Sequence, residues 1–257
     1  MQNLYPLFER NRILKKELLW SLRDYAFGQL RLEYGEYAAG MLQGCGVRVE
    51  EDRIVVSPGI IKWNEFIFLM CEEERIGYEP SEGFTSVKMR FSTEQNSPDY
   101  VLHTMKLVSD KRMDLADNEF EICRYRLQEG AELRDTHTDL WDMDTEYNTL
   151  NYIHATWGGL GGRSIAPAVS RRFAREILKA DSPHPEDIRF AYLCLGQTGA
   201  VPGEILRDYL TRRNQEKKSI FTNEDIFTKM CEVLNKVRTC TENRQQERSG
   251  RRQIIVY

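Results

Sequence analysis

The chain has no run of apolar residues long enough to cross a bilayer, which takes about 20; the longest, Phe66 to Cys71, is the size of one strand. It has no paired cysteines. Its six (Cys45, Cys71, Cys123, Cys194, Cys231 and Cys240) are scattered without a CxxC couple, and a structural zinc site needs such couples to bring two thiolates to one tetrahedral ion. Buried thiols in a reducing compartment are the expected state. It has little net charge: 36 basic against 40 acidic residues leave −4, so the whole chain carries no field that would hold nucleic acid. Its one basic cluster, Arg244 to Arg252, interrupted by Glu247, reads as a solvated tail. The first 12 residues carry charge and Pro6 where a secretory signal needs an apolar core, so the expectation is a protein that is cytoplasmic at synthesis. No internal repeat is present, which argues against a solenoid.

Catalytic signatures are also missing. There is no GxSxG elbow and no HExxH pair. Gly158 to Ser164 (GGLGGRS) looks like a phosphate loop, yet it offers Arg163 where that loop needs lysine, and no buried strand runs into it. A glycine-rich hinge is the expectation there. His137, Asp139, Asp142, Asp144, Glu146 and His154 crowd into a short segment. They lack the glycine and distal glutamate of a calcium loop, so the segment reads as a solvated acidic linker. Accordingly no catalytic residue, cofactor or metal ligand is assigned. His103 reads as a strand histidine and His184 as part of a helix entry.

What is present is periodicity. Ile13, Leu14, Leu18, Leu22 and Tyr25 recur at helical spacing, and a second amphipathic stretch, Leu30 to Met41, ends at Gly40 and Gly44. The period then drops to two. Val47 and Val49, Ile54 to Val56, Ile60 to Trp63 and Phe66 to Met70 form four short strands separated by Glu51-Asp52, Ser57-Pro58-Gly59 and Asn64-Glu65, which predicts an antiparallel meander. Strands also follow from the patterns at Ser86 to Phe91, Tyr100 to Val108 and Glu119 to Leu127. After Tyr147 the patterns are helical: Ala168 to Lys179, a helix opened by Pro185, Val201 to Thr211, and Asn223 to Val237 behind a cap at Thr222. The expected fold is therefore α+β, with an N-terminal helix plus antiparallel β meander over 1–134 and an acidic, Gly-rich linker over 135–164. A C-terminal helical bundle over 165–241 and a basic tail over 242–257 complete it.

Gly40 to Val49, followed by Ile54 to Asn64, resembles a β module common near the start of phage tail-fibre and baseplate-associated proteins. That module runs through two glycines, a V-x-V pair, a second V-x-V with Pro-Gly, and a closing Asn-Gly; here Glu65 stands in the last position. From Leu4-Tyr5-Pro6 through Asp24-Tyr25 to Ser57-Pro58-Gly59 the chain is similar to an uncharacterised Firmicute-type family that sometimes carries a "DNA and RNA helicase" label. No residue of the chain supports helicase chemistry.

The tail-fibre likeness implies a structural or adaptor component of a phage-tail-like or contractile injection particle, at its baseplate or fibre attachment. It would not be an enzyme. Its partners would be other protein subunits, in a homo-oligomer or symmetric particle, with no membrane segment and no nucleic acid. The docking module would comprise Val47, Val49, Ile54, Val56, Ile60, Trp63 and Phe66. Two other readings stay open: a nucleotide- or metal-dependent enzyme or regulatory factor using 135–164, and a helical protein-interaction module.

Overall fold

The structure is a computed structural model that describes residues 6–7, 10, 13, 15–95, 97–215 and 222–250, with side chains to 242. The Leu4 to Glu9 part of the family likeness lies mostly outside these residues, and so do the side chains of the basic cluster at 244–252.

One helix, α1 (Lys16–Tyr34), comes first. The stretch Leu30 to Met41, expected as a second helix, is split: its first turn completes α1, and its end is already strand β1 (Gly40–Gly44). Two glycines cause the change. Gly40 has φ of 149° and packs against the backbone of Trp157 and Gly158, while Gly44 has φ of 70° against Pro58. Both are conformations that a side chain would strain.

The predicted strands are all there: β2 (Val47–Glu50), β3 (Arg53–Val56), β4 (Gly59–Trp63), β5 (Phe66–Met70), β7 (Thr85–Glu94), β8 (Leu102–Asp110) and β9 (Glu119–Tyr125), with β6 (Glu74–Gly77) in addition. Their pairing is not one meander. β2, β3 and β6 form one antiparallel sheet, and β4 and β5 belong to another with β1. The chain changes sheet at Ser57-Pro58, where proline cannot donate to a ladder. Both hairpins close as the spacing predicts, Val49 opposite Ile54 and Trp63 opposite Phe66. In the second, Asn64 supplies the left-handed residue at φ 53° and Glu65 stays outside that region, so the missing glycine costs the turn nothing.

The Gly-rich segment is not a hinge. It is a hairpin, β10 (Trp157–Gly159) and β11 (Gly162–Ser164), that completes a five-stranded sheet in the order β11-β10-β1-β4-β5. Glycine is there because backbones meet: a Cβ on Gly158 would collide with Ala38 O. The acidic segment is not a solvated linker either. Its Leu140 and Met143 are buried, one just before and one within a 3₁₀ turn (Trp141–Asp144), and its acids serve protein donors.

Among the described residues four helices follow: α2 (Pro167–Lys179), α3 (Pro185–Gly196), α4 (Gly203–Asn214) and α5 (Asn223–Gly250). The cap at the start of α5 is reciprocal, Thr222 N donating to Asp225 Oδ2 and Asp225 N to Thr222 Oγ1. Inside the bundle Phe190 stacks on Tyr209 at 3.9 Å. The fold is thus α+β as expected. A single apolar core runs through it, from Ile54, Met89 and Ile122 in the sheets to Phe173, Leu206 and Leu234 in the helices.

Candidate docking surface

The seven residues of the expected docking module divide between two sheets. Val47 and Val49 lie half-buried on β2, and Ile54 and Val56 are fully buried on β3. Ile60 and Trp63 on β4 and Phe66 on β5 are half-buried. Several are occupied inside the molecule: Trp63 stacks on Phe91 at 5.3 Å and Phe66 on His103 at 3.9 Å, which seats the β4–β5 hairpin on the sheet of β8, β7 and β9. The open edge at β2 is partly spent, because Val49 N donates to Asp135 Oδ2 at 2.8 Å. These residues are therefore mostly scaffold; of the strands that carry them, β2 and β5 are end strands of their sheets, and β5 has Leu69 exposed.

The surface that the scaffold presents is α1. In a helix each residue advances about 100°, so Trp20, Phe27 and Tyr34, seven apart, share one face. Only the C-terminal end of that face meets the sheet: Tyr34 is buried and the Phe27 ring lies 6.3 Å from Phe66, while Trp20 and most of Phe27 stay exposed. Leu22, Tyr25 and Leu32 fall on the opposite face, and all three stand in solvent, Leu32 at 87% exposure. Tyr34 is the helix's only buried residue among its 19. A helix of this length with so little burial has no tertiary source for most of its stability. Its root is held instead by a buried lysine. Lys62 on β4 donates from Nζ to the carbonyls of Tyr34 (3.1 Å), Gly35 (2.9 Å) and Tyr37 (2.9 Å). A cation at the carbonyl end of a helix also opposes the helix dipole. Periodicity marked α1 as a helix but not its second apolar face as unpartnered; the signal available was the presence of large apolar residues on both sides of the wheel.

The titratable residues of 135–154 are engaged elsewhere. Asp142 accepts both Nη groups of Arg134 at 2.7 Å, Thr138 N and Thr145 Oγ1, and the Arg134 bonds hold its carboxyl well below the usual range. Asp144 accepts from Asn151, and Glu146 pairs with Arg126. His137 bonds Leu150 O through Nε2 at 2.8 Å, and burial lowers its pKa. Four cysteines are buried (45, 123, 194 and 231) and two exposed (71 and 240). Burial pushes the Cys45 and Cys194 thiols up to about 12, which leaves them protonated and unreactive. Among the described residues no helix is long and apolar enough to cross a membrane.

No family model matches the chain, and no curated protein does. Solved structures that overlap it include the following three. One is the TssK-TssF-TssG baseplate subcomplex of a type VI secretion system (TM-score 0.41, 9% identity, 93% of this chain and 100% of that one). Another is the crystal structure of TssK (0.40, 10%, 93% and 69%), and a third is a type VI baseplate complex (0.38, 10%, 92% and 70%). These are loose overlaps, below the level at which a shared fold is shown.

Proposed function

We propose that the protein is a structural or adaptor component of a phage-tail-like or contractile particle, acting at its baseplate or fibre attachment, and that α1 is the element that docks. The observation that carries the docking role is the face of α1 bearing Leu22, Tyr25 and Leu32, apolar and in solvent while the root of the helix is fixed by Lys62. Side chains of this size each gain about 1.5–3 kcal/mol when fully buried. A rooted helix loses less freedom on docking than a free one, so more of that gain remains as affinity. The occupant is another protein subunit offering an apolar groove, the helix-in-groove mode. The kind of particle rests on the resemblance of residues 40–66.

The test is co-expression with the proteins encoded beside it. Co-purification with sheath, tube or baseplate subunits, lost in a Leu22→Glu/Tyr25→Glu/Leu32→Glu variant, is the expected result. Neighbouring genes of no such kind, or a triple variant that still co-purifies, would overturn the proposal.

A further inference from the structure

A cavity of about 560 Å³ lies where the β part meets the helices, and nothing in the docking role uses it. Its size is in the range of small-molecule sites, roughly 300–1,000 Å³. The inner wall is apolar: Met41, Ile122, Met143, Tyr152 and Trp157, all buried. The outer wall is one face of α2. Ala168, Arg171 and Arg175 succeed each other at spacings of three and four, which stacks them on one side of a helix, and Arg172 stands next to them.

The charges on that face are not neutralised. Arg171 donates from Nη2 to the carbonyls of Gln197 (2.6 Å) and Thr198 (3.1 Å), and Arg172 to those of His137 and Thr138. Both guanidinium groups are oriented by neutral acceptors. Arg175 is exposed and has no partner among the described residues. Glu176, the nearest acid on α2, is taken by Arg238 at 2.6 Å. Among the described residues Asp135 is the only carboxylate lining the cavity, and one of its oxygens is held by Val49 N. The first turn of α2 adds to the field, since it has neither a side-chain cap nor an acidic residue. Three cations against one acid, facing an apolar wall, match a ligand that is anionic at one end and apolar at the other.

We propose that this cavity binds a small organic oxyanion, with its phosphate or carboxylate on Arg171, Arg172 and Arg175 and its apolar body against Met41, Ile122 and Trp157. Cys45 and His137 also line the space. With the thiol held protonated and the imidazole neutral, the site is one for binding and not for covalent chemistry. A ligand there would touch the Gly44–Val47 turn on one side and α2 on the other, and would hold the two parts of the chain together.

The test is calorimetric titration of the full chain with phenyl phosphate, phenylacetate and inorganic phosphate, alongside melting curves. Either phenyl compound should bind at least 10-fold more tightly than inorganic phosphate and raise the melting temperature; which of the two is tighter identifies the anion. Arg175→Glu, on an exposed position, should weaken binding at least 10-fold, and Arg171→Gln should do the same. Binding of neither phenyl compound, or binding that both variants leave unchanged, would overturn the proposal.

Discussion

Lys62 Nζ sits 2.9 Å from the carbonyl oxygen of Gly35, just past the end of α1, and the same ammonium also serves Tyr34 and Tyr37. One side chain from the middle of a sheet thus bonds three backbone acceptors at and just past a helix terminus, where carbonyls lack intrahelical partners; of the three, Tyr34 O also accepts from Tyr37 N at 3.2 Å.

Lys62→Met keeps the aliphatic stem and removes the donor. Stranding buried carbonyls costs about 1–3 kcal/mol per group that water cannot reach, so a loss of about 2–4 kcal/mol is expected in urea unfolding. Hydrogen exchange should quicken across residues 16–34 more than in β7 or α2. Uniform quickening would mean that Lys62 supports the sheet and not the helix.

The triple substitution at Leu22, Tyr25 and Leu32 should barely change stability, within about 0.5–1 kcal/mol, because exposed positions away from caps and networks rarely matter more. A melting temperature many degrees lower would place this face of α1 inside a folded contact.

Asp187 is fully buried in α3 and accepts from Ser182 (2.6 Å), Tyr209 (2.9 Å) and Arg213 (2.6 Å). Asp187→Ala would leave the Arg213 charge without its partner and should cost about 3–5 kcal/mol. The double variant with Arg213→Met should recover part of it, since the stranded cation goes too. A chemical denaturation cycle with the two single variants measures the coupling.

His137 and His154 both have pKa values lowered by burial. In the unfolded chain each takes up a proton as pH falls through about 6.5, while the folded form resists until lower pH. Stability from these two groups is therefore complete above about pH 6.5 and lost on acidification below it. Asp144 and Glu176, raised by burial, act in the opposite sense at lower pH, so the histidine part is isolated by difference. The stability of a His137→Gln/His154→Gln variant should fall less than that of the wild type between pH 7 and 5.5; equal slopes would refute the assignment.

The strands β2 to β5 and β7 to β9 and the start of every later helix are legible in the sequence because local rules decide them: alternation, turn residues, Pro185 in a first turn, the Thr222 cap; β6, whose Glu74–Gly77 has no alternation of apolar residues, is not. Sheet membership is not local. Nothing in Ser57-Pro58 says that the chain leaves one sheet for another, and Met41 pairs with Trp157 across more than a hundred positions. The helical period of Leu30 to Met41 is a true pattern overruled by the glycines at 40 and 44, whose reason is the distant Gly158 and Pro58. Glycine also misled at 158–162, where it marks close backbones and not flexibility. The acidic segment hid its role because Leu140 and Met143 are too few to set a period. Of the docking surface, the sequence carries the helix and its apolar residues; which of them stay uncovered depends on where Lys62 and Phe66 place α1. The arginines of the cavity read as ordinary surface residues until the turn at Gly44 is brought opposite them.

The Lys62 staple also has a mechanical meaning. β4 lies between β1 and β5, and β1 continues the chain that leaves α1. A pull on α1 is therefore carried by two routes at once, along the covalent link through 35–39 into β1 and through the ammonium into β4. Neighbouring strands of one ladder then share the load, so the helix can serve as a handle under tension without peeling its own sheet apart from one side.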